Sequence, residues 1–511
     1  MVLEVSPHEP DALHLLGVLS HQSGKREVAV ELIRKAISVK PEFVDAHNNL
    51  GSVLKDQGQL NEAEEAYRQA VSLKPDWADA HNNLGAVLKD QGKFDEAVEV
   101  YRQAIALKRN FADAHNNLGA VFKAQGNLTQ AVESYRQAIS LNPRHCIAYY
   151  NLGIVLKEQG KLDEAVNAYS KATTLQPGLA TAHNNLGCVL KQQGKLAEAV
   201  GAFRKAISLK SDHADAHCNL GVVLMDQGNL AEAVVACRMA ITIRPDHADA
   251  HERLGRLLSL MGQTDQAMDV YRNWLSYDES NPVALHMLAA CKGRDAPERA
   301  SDGYLQLVFD GLANSFEQNL KSLDYCAPEL LAAAISKEVT VAEEQCDILD
   351  AGCGTGLCGP YLRPYARHLV GVDLSTGMLR KATERGIYDD LVTSELTEYL
   401  SGCFDAYDII VAADTLVYFG DLKPLLAGAA NALRPNGLLV VSAESRHDDE
   451  VARGFLLQQH GRYCHTAEYL KQTLTDAGLT VRSVALATLR MECGRPVCGI
   501  IALARNLLKN A

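Results

Sequence analysis

The chain has 511 residues, 47% of them hydrophobic and 22% charged, so we expect more than one folded domain and no wholesale disorder. Its formal net charge of -13 argues against a main role in gripping a long nucleic acid, because phosphate neutralisation requires a basic excess. The sequence has no apolar stretch of about 18 residues and no basic, apolar leader, which predicts neither a membrane span nor a signal peptide.

Cysteine usage indicates a reducing compartment. The 13 cysteines are odd in number and form no Cys-x-x-Cys pair. Several of them, such as Cys188, Cys218 and Cys237, occupy small-residue positions within helical patterns. We therefore expect a cytoplasmic protein with free thiols and no bound metal.

The first half of the chain repeats itself. Ala-His-Asn-Asn-Leu-Gly or a close variant recurs every 34 residues (85 − 51 = 34). In the unit that starts at Ala78, helical spacing predicts a first helix ended by Gly92 and a second helix that buries Tyr101. Proline stops the second helix in five units. The glycines of the eight units are Gly17, Gly51, Gly85, Gly119, Gly153, Gly187, Gly221 and Gly255.

These features closely resemble the tetratricopeptide repeat. The period, the Leu-Gly pair, the Ala-x-x-x-Tyr pattern and the terminal proline match that family over residues 1–281, in about eight repeats. The resemblance implies an α-solenoid of stacked helix pairs with a concave face. The first and last repeats are atypical. Residues 3–7 resemble only the end of a second helix, which is compatible with a natural chain that starts upstream, and the unit from Ala248 resembles a capping repeat.

An asparagine recurs on the stripe of the first helix that faces the groove in this family. An amide both donates and accepts hydrogen bonds, so a row of asparagines suits the backbone of an extended polypeptide. The row is similar to that in the repeats of O-linked N-acetylglucosamine transferase. The alternatives are a soluble consensus residue copied by duplication, a passive spacer or an oligomerisation surface. We name the row the groove asparagines: Asn49, Asn83, Asn117, Asn151, Asn185 and Asn219.

The 34-residue period fails after Pro282. Residues 282–301 are expected to form a capping helix and a charged linker, and residues 302–336 amphipathic helices. Strand and helix patterns then alternate, which predicts an α/β sheet. The predicted strands lie at 347–350, 368–373, 407–412 and 437–443, and the apolar runs at about 479–488 and 497–504 predict a terminal antiparallel hairpin.

A glycine-rich turn follows the first predicted strand. Dinucleotide enzymes have Gly-x-Gly-x-x-Gly, whereas here the third glycine comes one residue early. The string Leu-Asp-Ala-Gly-Cys-Gly-Thr-Gly ending at Gly356, with Gly-Val-Asp ending at Asp373, closely resembles the class I methyltransferases. The resemblance covers about 302–511. It implies a Rossmann-like domain with a mostly parallel seven-stranded sheet and S-adenosyl-L-methionine as cofactor.

The resemblance also assigns residues around the cofactor. Glycines let the backbone approach a ligand closely. Asp350 is expected to orient the turn or its water, Asp373 to accept both ribose hydroxyls, and Glu395 to meet the adenine amine. The full set of expected cofactor residues is Asp350, Gly352, Gly354, Gly356, Asp373, Leu374, Met378 and Glu395.

Four residues are candidates for the side of the methyl acceptor. Asp414 and Tyr418 follow the fourth predicted strand, and Tyr463 and His465 precede a late helix. Asp414, Tyr418 and His465 are the candidates for a catalytic role. Positioning supplies much of the rate of methyl transfer, so a dedicated base is optional. Asp414-Thr-Leu-Val-Tyr418 is one residue longer than the Asp-x-x-Tyr of some protein-lysine methyltransferases and differs from the Asn/Asp-Pro-Pro-Tyr of nucleic-acid enzymes, so the acceptor stays open.

The sequence therefore favours a methyltransferase that acts on a protein or peptide captured by the repeats. A small-molecule methyltransferase whose repeats only assemble complexes is the alternative from a different class. A third hypothesis, an inactive scaffold, is disfavoured by the intact glycine turn and Asp373.

Overall fold

A computed structural model describes residues 9–293, 296–339, 345–446, 453–492 and 494–507. Residues 3–7, which resemble the end of a repeat helix, lie outside this set. The chain divides into two compact units, Met1–Asn229 and Leu230–Ala511.

The first unit is built from paired helices, each about 13 residues long. The two helices of a repeat pack against each other, and the second helix packs against the first helix of the next repeat. In chain order they are α1 Pro10–Gln22, α2 Arg26–Val39, α3 Val44–Asp56, α4 Leu60–Leu73, α5 Ala78–Asp90, α6 Phe94–Leu107, α7 Ala112–Ala124, α8 Leu128–Leu141, α9 Cys146–Glu158, α10 Leu162–Leu175, α11 Ala180–Gln192, α12 Leu196–Leu209 and α13 Ala214–Asp226.

A close approach of glycine and aromatic ring fixes the distance between the two helices of a repeat. In the repeat of α5 and α6, a Cβ on Gly85 would lie 2.8 Å from the Tyr101 ring, and that ring is fully buried. Gly51 and Tyr67 stand in the same relation at 2.8 Å. The turn between the helices requires a second glycine, since Gly92 has a φ of 77°.

The second unit begins with four further helices in the repeat pattern, followed by three that precede the sheet. The repeat-like helices are α14 Leu230–Ile243, α15 Ala248–Leu260, α16 Thr264–Leu275 and α17 Pro282–Lys292. The next three are α18 Asp302–Leu312, α19 Phe316–Ser322 and α20 Ala327–Glu338.

A largely parallel sheet forms the rest of the second unit. Its strands are β1 Cys346–Ala351, β2 Ala366–Asp373, β3 Asp390–Thr393, β4 Tyr407–Ala412, β5 Leu433–Ser445, β6 Phe455–Leu457, β7 Tyr463–His465, β8 Thr480–Glu492 and β9 Arg495–Arg505. Between them lie α21 Gly359–Leu362, α22 Thr376–Arg385, α23 Leu396–Ser401, α24 Lys423–Ala432 and α25 Ala467–Asp476.

The order of the strands confirms the predicted fold class. The main path is β3-β2-β1-β4-β5-β9-β8; β3, β2, β1, β4 and β5 are parallel neighbours, and β9 is antiparallel to both β5 and β8. Among the described residues the sheet has nine strands rather than seven, because β6 and β7 extend it beside the end of β5. Apolar clusters cover both faces of the sheet, one of them including Leu426 and Leu470 and the other Leu331 and Ile335.

The last repeat-like helices share a core with the helices that lead to the sheet. Trp274, Met287, Tyr304 and the partly buried Tyr418 belong to one apolar cluster. His286 of α17 stacks on the Tyr304 ring at 3.9 Å and lies 2.8 Å from the Gly461 carbonyl oxygen. Residues 282–301 were expected to form a capping helix and a charged linker. Helix α17 in this range packs into the core of the second unit.

Membrane-spanning helices and metal clusters are both absent from the described residues. None of the helices in this part of the chain is both long and apolar enough to cross a bilayer. No cluster of three or more histidine, cysteine, aspartate or glutamate side chains in the same ranges has the geometry to hold a metal ion.

The glycine contact generates a paired stability prediction. Gly85→Ala should destabilise the first unit by about 1–3 kcal/mol, because the new methyl group overlaps the buried Tyr101 ring. Gly201→Ala in α12 is the matched control: a Cβ there meets nothing within 4 Å, so the change should stabilise the helix by about 1 kcal/mol. Urea unfolding of both variants measures the difference, and a neutral Gly85→Ala would contradict this packing.

Candidate active site

The glycine-rich turn leaves the carboxyl end of β1 through three residues with left-handed backbone. Gly352, Gly354 and Gly356 have φ values of 77°, 55° and 84°. A Cβ on Gly352 would lie 2.4 Å from Thr415 Oγ1, and one on Gly356 would lie 2.9 Å from the Tyr388 ring. A Cβ on Gly354 would meet nothing within 4 Å, so the turn is packed on two sides and open at its centre.

Asp373, the last residue of β2, is tied to this turn. Its Oδ2 accepts a hydrogen bond from the Gly354 backbone N–H at 2.9 Å, and its Oδ1 accepts one from the Ser375 N–H at 2.8 Å. Burial raises the pKa of Asp373, and these backbone donors oppose the rise. Each oxygen keeps a further lone pair for a ligand hydroxyl.

Asp350 lies beneath the turn with 1% of its surface exposed. The Tyr388 hydroxyl donates to its Oδ2 at 2.6 Å. Burial raises the pKa of Asp350 to about 7, the Tyr388 hydrogen bond lowers it, and the nearby Asp373 raises it. Asp350 is thus placed to support the turn from below, in contact with Tyr388 rather than with solvent.

The other expected cofactor residues surround the same strand ends. Leu374 is partly exposed directly after β2, whereas Met378 in α22 is 1% exposed. Glu395 caps α23, since its Oε2 accepts the Glu398 backbone N–H at 2.8 Å. A cavity of about 380 Å³ is lined by Glu395 together with Glu298, Arg299, Phe419, Asp421 and Leu425. The roles assigned to these residues stay predictions.

A residue that sequence reasoning missed also approaches the start of α22. Asp310 of α18 accepts hydrogen bonds from Ser375 Oγ at 2.5 Å and from the Gly377 N–H at 2.9 Å. The neighbouring Phe309 packs edge-on against Tyr418, with ring centroids 5.3 Å apart. Helix α18 therefore contacts the ends of both β2 and β4, which the spacing of apolar residues in α18 does not indicate.

Asp414 stands two residues beyond β4, in a left-handed conformation with φ 51°. Its Oδ2 accepts a charged hydrogen bond from Arg490 Nη1 at 2.6 Å, while its Oδ1 is buried and receives no hydrogen bond from any described residue. Burial raises the pKa of Asp414, and Arg490 opposes the rise. Arg490, 4% exposed, also contacts Glu444 and Glu492.

Tyr418 is partly buried and His465 is fully buried, which limits the contact that either side chain can make with a methyl acceptor. Burial raises the pKa of the Tyr418 hydroxyl, so Tyr418 is neutral near pH 7. His465 is 0% exposed, stacks on Tyr469 with centroids 6.0 Å apart and lies 3.3 Å from the Gly420 carbonyl oxygen. Burial lowers the pKa of His465 to about 4, so the ring is also neutral. A catalytic role for either residue stays a prediction.

In the first unit the groove asparagines have a structural role that the sequence did not reveal. Each Nδ2 amide bonds to a residue 35 positions earlier, which lies in the preceding repeat. The four asparagine–asparagine pairs are Asn83 to Asn48, Asn117 to Asn82 and Asn151 to Asn116, all at 3.0 Å, and Asn219 to Asn184 at 3.1 Å. Asn49 contacts His14 at 2.8 Å and Asn185 contacts the Tyr150 hydroxyl at 3.2 Å. All six side chains keep partial exposure.

Family models match both parts of the chain. Residues 10–43 match a tetratricopeptide repeat, residues 51–92 a TPR repeat, and residues 74–274 the cilia and flagella-associated protein 70 C-terminal domain. Residues 318–484 match a methyltransferase domain. The chain thus combines tetratricopeptide repeats with a class I methyltransferase domain, as its sequence motifs predicted.

Several relatives of this chain are methyltransferases by name. Phosphoethanolamine N-methyltransferase 1 of Zea mays is 30% identical over 139 residues, which cover 26% of this chain and 28% of that protein. Methyltransferase-like protein 27 of Homo sapiens is 35% identical over 140 residues, covering 24% of this chain and 57% of that protein. The chain therefore spans less than two thirds of the length of either relative.

Solved repeat proteins are also similar to this chain. The structure of YrrB, described as a TPR protein with an unusual peptide-binding site, is 26% identical and covers 37% of this chain and 96% of its own, with a TM-score of 0.33. A crystal structure of MamA is 29% identical and covers 32% of this chain and 96% of its own, with a TM-score of 0.30.

The buried carboxyl group beneath the turn generates a pH prediction. The pKa of Asp350 is about 7 in the folded chain and about 3.9 in an unfolded one. A pKa raised by folding stabilises the fold at low pH, and this contribution is lost as pH rises from about 4 through 7. The free energy of unfolding of Asp350→Asn, relative to that of the native chain, should therefore increase as pH rises from 5 to 8.

Tryptophan fluorescence can measure this effect in the second unit. The chain has two tryptophans, Trp77 and Trp274, so a Trp77→Phe background leaves Trp274 as a probe. Urea unfolding at pH 5 and pH 8 gives the free energy of unfolding of both forms. An identical pH dependence of the two forms would show that Asp350 is ionised throughout this range.

Proposed function

We propose that this chain is an S-adenosyl-L-methionine-dependent methyltransferase that acts on a polypeptide held by its repeats. The observation that carries the cofactor assignment is the turn at 352–356, which is packed at both ends and open at Gly354. Asp373 stands beside that opening with a lone pair on each oxygen. A small ligand with a ribose diol fits this combination of open backbone and carboxylate.

Different residues would bind different parts of the cofactor. The backbone at Gly352, Gly354 and Gly356 would hold the methionine part, and Asp373 would accept the two ribose hydroxyls. Leu374, Met378 and Glu395 would surround the adenine. Asp350 acts from below by holding the turn, and Asp310 acts from above by holding the start of α22.

The cofactor supplies a methyl group on a sulfonium, which is ready for displacement by a nucleophilic atom. The task of the chain is to bring that atom into line and to keep water away. Asp414 lies at the carboxyl edge of the sheet, where the methyl acceptor would be aligned with the cofactor. Its buried Oδ1, which has no partner among the described residues, can accept a hydrogen bond from the methyl acceptor. Tyr418, which is partly buried, and His465, which is fully buried, are both neutral near pH 7.

The groove asparagines support a polypeptide acceptor. Although each Nδ2 is committed to the preceding repeat, each amide has a second N–H, and the side chains are partly exposed at a regular 34-residue spacing. Regular amides of this kind suit a regular ligand, such as the peptide backbone. The repeats therefore give the enzyme a surface for chain capture.

A small-molecule acceptor is the second candidate. The maize relative is named for phosphoethanolamine, and its match lies in the methyltransferase part. In this alternative the repeats bind partner proteins and the acceptor reaches the methyltransferase site without them.

Asp373→Ala tests the cofactor assignment in the full-length chain. The change removes charged hydrogen bonds to ribose, each worth roughly 1.5–3 kcal/mol, so affinity for S-adenosylmethionine should fall about 10- to 100-fold. Asp389→Ala is the control, because Asp389 also accepts a backbone N–H, from Leu369 at 2.7 Å, but stands before β3 at the opposite sheet edge. Titration calorimetry with equal affinities for both variants would remove Asp373 from the site.

Labelled cofactor and cell lysate test the acceptor. We expect full-length chain to transfer label to protein rather than to metabolites. In a first variant Asn83, Asn117, Asn151 and Asn219 become alanine. In the matched variant their partners Asn48, Asn82, Asn116 and Asn184, of which all but Asn82 are buried, become alanine, so both variants lose the same four hydrogen bonds between repeats.

The two variants should then differ in substrate affinity alone. Both should lose stability by a similar amount, at about 0.5–1.5 kcal/mol for each bond. Only the first should raise the apparent KM for the labelled protein, because only it strips the groove face. Equal activity of both variants, or label confined to small metabolites, would favour the small-molecule enzyme.

A further inference from the structure

Five charged side chains form a compact cluster at the carboxyl edge of the sheet. Arg490 binds Asp414, Glu444 and Glu492 through separate nitrogens. Arg462 binds Glu444 at 2.5 Å and Glu492 at 2.7 Å. Within these ion pairs three carboxylates face two guanidinium groups, so the pairs themselves carry one negative charge in excess (3 − 2 = 1).

A nearby histidine does not compensate for this excess. His460 Nε2 lies 3.7 Å from Glu444 Oε2, but burial lowers the pKa of His460 to about 4, so the ring is neutral near pH 7. Arg490 and Glu444 are 4% and 3% exposed, so bulk water contributes little screening. The excess charge is therefore only partly screened by water, and it favours a bound cation.

One carboxylate oxygen of the cluster lacks a hydrogen-bond donor among the described residues. Asp414 Oδ2 is engaged by Arg490, whereas Asp414 Oδ1 is buried and receives no hydrogen bond from the described residues. Leaving a buried carboxylate oxygen without a donor is costly. A ligand that brings a donor and a positive charge would remove both the unmet hydrogen bond and the charge excess.

Asp414 is also in the right place to meet a methyl acceptor. The next residue, Thr415, donates from Oγ1 to the Ala351 carbonyl oxygen at 2.9 Å and packs against Gly352. Asp414 is therefore one residue from the wall of the proposed cofactor turn. An acceptor bound at Oδ1 would lie at the same strand edge as that turn.

We infer that the methyl acceptor is an amine, which binds as an ammonium ion with its N–H groups on Asp414 Oδ1 inside this cluster. The ammonium would give one proton to that oxygen, and the freed nitrogen lone pair would form the new C–N bond as the methyl C–S bond breaks and S-adenosylhomocysteine leaves. The inference rests on the proposed function for its place in the reaction, but the amine site itself is a property of the cluster. An acceptor carboxylate or phosphate would be repelled by the excess negative charge. A neutral alcohol could satisfy the oxygen but would leave the charge uncompensated.

The inference can be tested by binding, without methyl transfer. The full-length chain is titrated with n-butylamine in the presence of S-adenosylhomocysteine, and binding is followed by ligand-observed NMR, with n-butanol as the neutral probe of similar size. Butylamine should bind and butanol should bind at least 10-fold more weakly. Asp414→Asn, which keeps the size of the side chain, should reduce butylamine affinity by about 10-fold or more.

Asp405→Asn is the matched control. Asp405 also has a left-handed backbone, with φ 44°, but it precedes β4 and so lies at the opposite sheet edge. Both variants remove one negative charge from the chain, so a general attraction of the amine to an acidic protein would change equally in both. The Asp405→Asn chain should bind butylamine as the native chain does.

The outcomes separate this inference from the proposed function. Absence of butylamine binding, equal binding of amine and alcohol, or equal effects of the two variants would each overturn the amine site. Calorimetry with S-adenosylmethionine on the same native sample judges the proposed function independently. Cofactor binding without amine selectivity would leave the methyltransferase assignment standing and remove the amine acceptor.

Discussion

The candidate site depends on keeping three carboxyl groups out of bulk water at one edge of a sheet. Asp350, Asp373 and Asp414 stand at the ends of β1, β2 and β4, which are neighbours in the sheet. Like charges at such short range repel, and burial penalises each of them. The chain resolves this with a different donor for each: a tyrosine hydroxyl for Asp350, backbone N–H groups for Asp373 and a guanidinium for Asp414. The shape of the edge follows from these pairings.

The donors explain why several glycines and aromatic residues cannot be exchanged freely. Tyr388 both donates to Asp350 and packs where a Cβ on Gly356 would lie. Thr415 closes the other side of the turn at Gly352. The turn is consequently held by Tyr388, between α22 and β3, and by Thr415, after β4. A substitution at either position is therefore expected to affect both the proposed cofactor site and the proposed acceptor site.

The sequence predicted what depends on local periodicity. The 34-residue step located the repeat helices, and the run Asp347–Asp350 and the acid at Asp373 located β1 and β2, because these signals lie within a few residues of each other. Partners that are distant in the chain were not predicted: Asp310 is 65 residues from its partner Ser375, and Arg490 is 76 residues from its partner Asp414. The pairing of Asn83 with Asn48 was missed, although the doubled asparagine of four units carries its signal, because a separation of 35 residues is one more than the repeat period. The burial of His465 depends on strand β7, which no local pattern revealed, although the helix that follows His465 was expected.

The packing of α17 has a consequence for how such a fusion could arise. His286 stacks on Tyr304 and reaches the carbonyl oxygen of Gly461, in the loop between β6 and β7. The Tyr463 hydroxyl donates in turn to the Pro297 carbonyl oxygen at 2.6 Å. A gene boundary drawn where the repeat period ends would therefore cut through a hydrophobic core and expose the faces of Met287 and Tyr304. The compact unit that contains the sheet begins at Leu230 and includes the helices α14 to α17, so a fragment for expression should keep these helices.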